Sequence, residues 1–561
     1  MTEDSKASPV EGIKIKSRGL RGDIAQDLEH QLTGAITADH QQLIKFHGSY
    51  MQDDRDRREE RERKKLEPAY SFMIRLRIPA GDISAQQWIG IQEVADRYAS
   101  GVVKITTRQT VQLHGVVKAY MKPTMQWFDK LGLDAIAACG DVNRNVVAGS
   151  NPAFAPFHHE VFEFADKIST HLLPRTGAFK EIWLDGEKLE EGAAAEHDPL
   201  YGERYLPRKF KIGIAIPPHN DTDVFTQDIG LIAIEEDGKF IGFNVAIGGG
   251  LGTTHGNANT YPRMGSIIGF VTKEQTLDTV WQIAAVQRDL GNREDRKQAR
   301  LKYTVDRVGV GNFKLELEKR LGFTLLKPKE FKFTHRGDDF DWAKDVDGKW
   351  YYTLFVENGR VMDVEDNPIR TALMAIANAG KCGFRFTANQ NVILTRISEE
   401  DKHEIENLIR QFGLETKQRN TTRTRKEALA CVALPTCSLA LAEAQRYMPD
   451  LLTKVEELLE KHGLANERIT MRMTGCPNGC ARPYAAEIGL IGKSAGKYNI
   501  MIGGDVAGYR LNTLYKEEAD ENTILSTIDE MLAAYKQHRN RGENFGDFSR
   551  RYFLKEAAPA A

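Results

Sequence analysis

Four of the six cysteines lie in two short loops whose spacing suits a soft metal. Five residues separate Cys431 from Cys437, three separate Cys476 from Cys480, and 38 lie between the two pairs. A structural zinc usually takes its cysteines from pairs with two to four intervening residues, so the first pair is slightly wide for zinc. A four-iron cluster is also held by four thiolates, with freer spacing. The spacing favours an iron–sulfur cluster, and it leaves zinc or a set of buried or redox-active thiols open.

A second candidate feature is a run of polar side chains in residues 103–114, which have the alternation of a strand. Side chains alternate across a strand, so a continuous strand would place five donors on one face and apolar residues on the other. The five donors are Thr106, Arg108, Thr110, Gln112 and His114. Solubility requires fewer donors than this, so we interpret His114, as part of the column, as a donor to an anion.

Cations two positions apart occur in two other strand-like stretches. Arg75 and Arg77 share one face of the first, and Lys209 and Lys211 share one face at the start of the second. Such pairs are usually solvated strand edges. The cations in residues 292–303 are interpreted by default as the solvated face of a helix. Any function of these cations needs a further argument.

Composition excludes several functional classes. Lysine and arginine number 77 against 79 acidic residues, and a net charge of −2 gives no general attraction to nucleic acid or to a membrane surface. No stretch approaches 18 apolar residues, and the polar N-terminus lacks the apolar run of a secretory signal, so no membrane partner is expected. Six cysteines, four of them clustered, are not a disulfide framework. They predict a reducing, cytoplasmic location.

The 561 residues predict two to four domains, and the second half of the chain repeats the first. Blocks recur in the same order in both halves: 104–111 as 385–392, 214–220 as 471–478, 228–232 as 487–491, and 243–249 as 498–504. Each half has the pattern of a small strand-rich module followed by a strand-and-helix module. Because the clustered thiols occur only in the second copy, we expect a large ligand between the halves.

In combination, these motifs resemble the sulfite and nitrite reductase family, from about residue 20 to residue 548. The motifs are the two cysteine loops, residues 106–114, Asn143 to Asn145, and residues 208–211. The resemblance implies an α+β, three-domain enzyme with internal pseudo-twofold duplication. Its implied parts are a charged accessory region at 1–66, paired ferredoxin-like half-domains at 67–136 and 335–418, a first sirohaem-binding domain at 137–334, and a second sirohaem- and [4Fe-4S]-binding domain at 419–555.

The resemblance also assigns roles to individual residues. It implies that Cys431, Cys437, Cys476 and Cys480 ligate a [4Fe-4S] cluster, and that Cys480 also ligates the iron of sirohaem. The residues that match substrate-binding cations are Arg75, Arg144, Lys209 and Lys211. The residues that match positions around the macrocycle are Thr106, Arg108, Gln112, His114, Asn478 and Cys480. Cys139 and Cys382 match no ligand position, and we interpret them as structural.

The implied activity is the six-electron reduction of sulfite to sulfide, in assimilatory sulfate reduction and cysteine biosynthesis. The sequence contains no flavin or nicotinamide motif, so electrons must come from a separate protein. The resemblance implies that this partner is a flavoprotein (alpha) subunit fed by NADPH. The alternatives are a sirohaem nitrite reductase, a ferredoxin-dependent sulfite reductase, a non-catalytic electron-transfer protein and a zinc-stapled structural protein.

Overall fold

The computed structural model describes residues 7–175, 183–184, 187–188 and 198–555. The helices are α1 Pro9–Lys16, α2 Ile24–Glu29, α3 Ala38–Leu43, α4 Arg58–Arg63, α5 Ala85–Tyr98, α6 Met121–Lys130, α7 His158–His171, α8 Thr276–Leu290, α9 Leu301–Val308, α10 Val310–Leu321, α11 Ile369–Ala379, α12 Lys402–Gln411, α13 Leu414–Asn420, α14 Arg423–Lys426, α15 Met448–Lys461, α16 Glu521–His538 and α17 Phe545–Tyr552. The strands are β1 Ser49–Asp53, β2 Tyr70–Arg75, β3 Asp82–Ile83, β4 Val103–Ile105, β5 Val111–Val116, β6 Trp183–Leu184, β7 Glu187–Lys188, β8 Ile212–Ala215, β9 Ile229–Glu236, β10 Lys239–Ile247, β11 Ser266–Thr272, β12 Asp341–Lys344, β13 Trp350–Leu354, β14 Arg360–Val361, β15 Gly383–Phe386, β16 Val392–Ile397, β17 Leu429–Ala430, β18 Met471–Thr474, β19 Ile488–Ser494, β20 Lys497–Ile502 and β21 Thr513–Ala519. Among these described helices, none is both long and apolar enough to cross a membrane.

Two five-stranded sheets form the paired half-domains, in the orders β1-β2-β5-β4-β14 and β12-β13-β16-β15-β3. Each sheet takes one short strand from the other half of the chain, because β14 pairs with β4 and β3 pairs with β15. A single hydrophobic core, which includes Trp88, Leu354 and Phe384, runs through both sheets. The half-domains are therefore interlocked, and the predicted α+β class is confirmed.

Helix α5 shows how local sequence builds this junction. Ser84 Oγ accepts a hydrogen bond from the backbone N–H of Gln87 over 3.1 Å, and Gln87 Oε1 accepts one from the N–H of Ser84 over 3.0 Å. This capping box satisfies two otherwise unpaired donors and fixes the start of the helix. Trp88 and Ile91, three positions apart, then lie on its buried face, and Trp88 stacks on Phe384 of the second half with ring centroids 5.4 Å apart.

The two larger modules contain the sheets β11-β10-β9-β8 and β17-β18-β19-β20-β21. In both, the first strand of the repeated unit runs parallel to the next, β8 beside β9 and β18 beside β19. A constant shift of 259 positions relates Ile212 to Met471, the residues that begin β8 and β18. The same shift relates Asp223 to Arg482, which both have a left-handed backbone, with φ of 47° and 57°. The predicted duplication is present in three dimensions.

Asp223 joins the two copies through a buried charge cluster. Its carboxylate lies 3.0 Å from Arg336 Nη1, 2.6 Å from Arg472 Nη1 and 3.2 Å from Arg482 Nη1. All four side chains are at most 7 % exposed. Burial alone would raise the pKa of Asp223, but the three guanidinium groups hold it below its usual range. Removing one member of such a cluster leaves the other charges buried without compensation.

The N-terminal residues are part of the fold rather than a separate region. Strand β1 pairs antiparallel with β2, with Ser49 opposite Ile74, inside the first half-domain sheet. Lys14 is buried, lies 2.6 Å from Glu11 and donates to the carbonyl of Leu206 over 3.1 Å. The sequence-based boundary at residue 66 therefore does not match a structural boundary. Because this five-residue strand directly precedes a charged run, its alternation is too short to be recognised in the sequence.

Candidate active site

The ends of two parallel strands bring the cysteine loops together. Cys431 directly follows β17 and Cys476 follows the neighbouring strand β18, so both lie at the carboxyl ends of their strands, where α/β sheets commonly bind ligands. The backbone N–H of Gly475 donates to Cys431 Sγ over 3.4 Å. A Cβ atom at Gly475 would lie 2.4 Å from the carbonyl oxygen of Ala442 and 2.6 Å from Ala433 Cβ, so only glycine fits there.

The arrangement of the thiols is too open for a single zinc ion. Among the residues that the structure describes, no three cysteine sulfurs lie within 4.8 Å of one another. In a tetrahedral zinc site with Zn–S bonds of about 2.3 Å, neighbouring sulfurs lie only about 3.8 Å apart. Burial, followed by the charge of Cys480, raises the pKa of Cys476 to about 12 and that of Cys431 well above its usual value. The four sulfurs therefore form one electrostatic group that is too open to close around a single zinc ion.

Cys480 connects this group to the candidate cations. It is exposed, unlike the buried Cys476, and its carbonyl accepts from Thr107 Oγ1 over 2.9 Å. Its charge acts on the other clustered thiols and also on Lys209 and Lys211. Cys480 consequently lies between the thiol group and the lysine pair.

Lys209 and Lys211 immediately precede β8. In the described part of the chain, neither Nζ has a hydrogen-bond or ion-pair partner. Burial, with Arg300 and then Arg144 adding to it, lowers the pKa of Lys209 to about 7. Burial, followed by Lys209, lowers the pKa of Lys211 well below its usual value. Two desolvated amines without an anion raise the free energy of the protein, so the site is arranged for an anion from outside the chain.

Arg144 lies beside this pair. Its backbone N–H donates to the carbonyl of Phe210 over 2.9 Å, which aligns it with the start of β8. Its guanidinium group donates to the carbonyl of Gly140 over 3.0 Å and to the hydroxyl of Tyr50 over 3.4 Å. Burial acts to lower the pKa of Arg144, but Tyr50 and then Cys139 outweigh it and raise the pKa. Arg144 therefore remains a fixed positive charge. Its partner Tyr50 is a residue of the candidate site that the sequence did not indicate.

Arg75 begins a chain of side-chain hydrogen bonds. Its Nη1 donates to Cys139 Sγ over 3.0 Å, and its Nε donates to Gln112 Oε1 over 2.9 Å when the amide oxygen faces the guanidinium group. In that orientation the amide nitrogen donates to Nε2 of His114 over 3.3 Å, and His114 Nδ1 donates to Gln52 Oε1 over 3.0 Å. Burial, followed by Arg75, lowers the pKa of His114 to about 3, so His114 is neutral and serves to orient Gln112.

The expected continuous strand over residues 103–114 is wrong. Strand β4 ends at Ile105 and β5 begins at Val111, and the intervening residues form a hairpin loop in which the N–H of Thr106 donates to the carbonyl of Thr110 over 2.8 Å. Gln109 has a left-handed backbone with φ of 51°, which breaks the alternation on which the prediction of a five-donor column depended. The polar residues of this stretch are turn residues, whose pattern happens to match that of a strand.

The hairpin loop crosses to the larger module. Arg108 Nη1 donates to Gln227 Oε1 over 2.6 Å, and Nη2 donates to the carbonyls of Ile212 over 3.0 Å and Asn145. Thr106 Oγ1 accepts from the N–H of Arg108 over 3.2 Å. The loop thus attaches the half-domain to β8, next to the lysine pair.

Asn478 lies in the second cysteine loop and contacts the first copy. Its Nδ2 is 3.7 Å from Cys476 Sγ. A Cβ atom at Gly252 would lie 3.0 Å from the carbonyl oxygen of Asn478, and the N–H of Thr253 donates to the carbonyl of Pro477 over 2.9 Å. The glycine-rich loop after β10 therefore packs against the cysteine loop.

Two cations that the sequence placed on a solvated face are buried. Arg300 forms a bidentate pair with Asp228, at 2.8 and 3.2 Å, and Lys302 Nζ donates to the carbonyls of Gly250 over 3.1 Å and Gly252 over 2.9 Å. Helix α9 begins only after Arg300, so most of the charged stretch is not α-helical. The available signal was Asp228 itself, because an acidic residue at the start of an apolar strand requires a cationic partner.

A cavity of about 600 Å³ opens beside the first cysteine loop. Its lining includes Lys104, His114, Arg360 and Arg446. Lys104 Nζ donates to the carbonyl of Ala430 over 3.2 Å, and burial lowers the pKa of Lys104 to about 7. The surroundings of the cysteines are thus cationic on this side as well.

Comparison with known proteins identifies the family. A model of the nitrite and sulphite reductase 4Fe-4S domain matches residues 163–325, and a model of the nitrite/sulfite reductase ferredoxin-like half domain matches residues 64–129 and 343–412. A protein named sulfite reductase [NADPH] hemoprotein beta-component, from Leptospira biflexa, is 56% identical over 98% of this chain and 99% of its own length. The chain belongs to the nitrite and sulfite reductase family. Membership confirms the resemblance, the oxidoreductase class and the predicted cofactors, sirohaem and a [4Fe-4S] cluster.

Two further comparisons agree with this membership. A protein of the same name from Staphylococcus haemolyticus is 52% identical over 97% of this chain and 95% of its own length. The structure of the NirA protein of Mycobacterium tuberculosis has the same fold, with a TM-score of 0.78 at 22% identity over 98% of this chain and 97% of that one. The stretch matched by the 4Fe-4S domain model contains no cysteine, so the clustered thiols belong to the other copy of the duplicated unit.

Proposed function

We propose that this chain catalyses the six-electron reduction of sulfite to sulfide at a sirohaem coupled to a [4Fe-4S] cluster, in assimilatory sulfate reduction and cysteine biosynthesis. Nearly full-length relatives bear the name sulfite reductase [NADPH] hemoprotein beta-component, which supports this substrate. The observation that carries the proposal is a pair of desolvated lysines near the exposed thiol of Cys480. Among the described residues, neither Lys209 nor Lys211 has a hydrogen-bond or ion-pair partner for its Nζ.

The donor set fits both cofactors. Cys431, Cys437, Cys476 and Cys480 would hold the cluster, and Cys480 would be shared with the sirohaem iron, because its charge acts both on the other thiols and on the lysines. The polar residues assigned to the carboxylates and rim of the macrocycle are Thr106, Arg108, Gln112, His114 and Asn478. When bound, the sirohaem and the cluster would supply the iron centre and the electrons for the reduction.

The four cations would divide the work on the substrate. Arg75 and Arg144 hold sulfite oxygens, because a guanidinium group binds oxyanions strongly but keeps its protons at neutral pH. Each sulfite oxygen that leaves as water takes up two protons and two electrons. Lys209, whose pKa is lowered to about 7 by burial, can donate one of these protons from Nζ. Lys211, at the same strand start, supplies a second amine.

Electrons would come from a separate NADPH-dependent flavoprotein (alpha) subunit. The relatives' names describe a beta-component of an NADPH enzyme, and this chain has no flavin or nicotinamide motif of its own. Because the partner is a second protein, the catalytic test must bypass it with a small artificial electron donor.

The decisive experiment replaces each lysine by methionine, which keeps the apolar stem and removes the charge and the proton. We expect Lys209→Met and Lys211→Met to reduce sulfite turnover by ~10²–10⁴-fold, the usual cost of losing a general acid. Lys239→Met, at an exposed lysine of the same sheet, is the matched control and should leave turnover unchanged. Absorption spectra and iron analysis must show equal cofactor loading. Full turnover in both active-site variants would refute the assignment.

A further inference from the structure

The first copy of the duplicated unit contains its own group of metal-binding side chains. His219, His335 and Asp339 each offer a ligand atom, and these three atoms lie within 4.8 Å of one another. The ring centroids of the two histidines are 4.1 Å apart at 77°, and His335 Nε2 lies 4.0 Å from Asp339 Oδ1. No step of the proposed reaction uses any of these residues.

The backbone holds the two histidines together before any ion is considered. The N–H of Asn220 donates to the carbonyl of His335 over 3.0 Å, and the N–H of Thr334 donates to the carbonyl of Pro218 over 2.9 Å. His219 is further fixed by a parallel stack on Phe154, with ring centroids 3.5 Å apart. The loop after β8 and the segment that enters the second half-domain are thereby aligned with their imidazoles side by side.

The hydrogen-bond partners of the imidazoles leave ligand atoms available. Thr334 Oγ1 lies 3.1 Å from His335 Nδ1, so a proton on that nitrogen leaves Nε2 as a lone pair facing Asp339. His219 Nδ1 is buried, and among the described residues it has no hydrogen-bond partner, which is a costly state for a polar atom. Asp339, with its side chain 58% exposed, leaves the group open to solvent on one side.

The local charges allow a cation to bind. Arg468 is the positive charge that acts on both histidines, but it is paired with Glu427. Asp339 supplies the negative charge on the open side.

We propose that His219, His335 and Asp339 form a binding site for a divalent first-row transition ion, for which zinc is the best match to two imidazoles and a carboxylate, with water as the fourth ligand. By the 259-position shift, His219 corresponds to Asn478 of the second cysteine loop. The ion would fasten the loop after β8 to the segment that leads into β12. Both copies of the duplicated loop would then contribute to metal sites, with thiolate ligands in one and imidazole ligands in the other.

The test uses the cofactor-loaded protein dialysed against zinc, with zinc and iron measured per chain. We expect one zinc per chain in the wild type at unchanged iron content, and none under the same conditions in His335→Gln or Asp339→Asn. Thr334→Val removes only the hydroxyl that orients His335, so it should weaken zinc binding by ~10–100-fold. His159→Ala is the matched control, because His159 lies near Asp345 and Asp347 but has no second imidazole ligand.

Four outcomes would overturn the proposal. The wild type could retain no zinc after dialysis, or Asp339→Asn and His335→Gln could retain it fully. Zinc could instead appear only in proportion to missing iron, which would place it on the cysteines. Loss of zinc only in His159→Ala would place the ion at the group of His159, Asp345 and Asp347. Asp339 is exposed, so its isosteric replacement keeps the test valid even if a histidine variant folds poorly.

Discussion

At the scale of single residues, the role proposed for Lys209 combines an anchor for an anion with an acid. Its pKa of about 7 in the protein alone reflects burial first, and then the charges of Arg300 and Arg144. An anion that binds nearby favours the charged amine and raises this pKa. The protonated form therefore becomes more populated when substrate arrives, which is when a proton is needed.

This behaviour predicts a pH dependence. Lys209 is protonated below its pKa and loses its proton as the pH rises through it, so kcat/KM for sulfite should fall above a pKa of about 7 or higher. The profile should be measured from pH 6 to 10 with an artificial donor. In Lys209→Met the fall should disappear along with most of the activity. An unchanged fall in that variant would assign it to sulfite itself or to another group.

Cys480 has a distinct predicted phenotype among the thiols, since it faces both the cysteine group and the lysines. Cys480→Ser removes the shared thiolate, and we expect loss of sulfite reduction, lower iron content and an altered visible spectrum. Cys382→Ala is the control, because Cys382 lies in the half-domain core, outside the two cysteine loops. The iron content of this variant should be normal. Normal iron and activity in Cys480→Ser would contradict the assignment.

At the scale of elements, the first cysteine loop is held by the N-terminal segment. Arg55 donates through Nη1 to the carbonyl of Ala440 over 2.9 Å, through Nε to that of Pro435 over 3.3 Å, and through Nη2 to that of Cys437. The charged stretch 51–66 thus contacts the loop that would hold the cluster.

Removal of this clamp should loosen the cluster. Arg55→Ala deletes all three hydrogen bonds, and a single hydrogen bond to a charged group contributes about 1.5–3 kcal/mol. We expect a chelator to remove iron at least ~10-fold faster from Arg55→Ala than from the wild type. Arg57→Ala, in the same short segment and exposed, is the control. Equal rates of iron loss in the two variants would show that the loop is held by other contacts.

Whether the sequence could predict a feature of the site depended mainly on how far apart in the chain the interacting residues are. The cysteine spacing and the Lys209–Lys211 pair were visible because strand ends and strand periodicity are local features. The hairpin loop at 106–110 was missed because its polar residues mimic strand alternation. Arg300 and Lys302 were missed because burial of a cation depends on partners that are distant in sequence, Asp228 and the carbonyls of the glycine loop.

At the scale of the whole molecule, repetition of sequence blocks was enough to predict two equivalent halves. It could not predict that the halves exchange strands, because β3 and β14 are only two residues long. A strand of two residues is too short to show the alternation of polar and apolar side chains. It also could not reveal the buried cluster around Asp223, whose three arginines come from the second half of the chain.

This cluster should be a main determinant of stability. Asp223→Asn leaves three guanidinium groups buried without their counter-charge, and we expect a loss of about 3–5 kcal/mol. The change is measured as a lower midpoint of urea unfolding and a lower yield of folded protein. Asp237→Asn, at an exposed turn between β9 and β10, is the control and should leave the midpoint unchanged. Similar midpoints for the two variants would mean that the arginines find other partners.

The contact between Asp223 and Arg482 also bears on the ancestry of the chain. These residues occupy corresponding positions in the two copies, yet they touch each other, so they lie close to the axis that relates the copies. If two first copies paired in this way, aspartate would face aspartate, and two second copies would bring arginine against arginine. Like charges at that depth oppose self-association, and opposite charges favour the mixed pair. With this pair of charges in place, neither copy would form a symmetric dimer of its own. A single chain provides the two complementary copies in equal amounts.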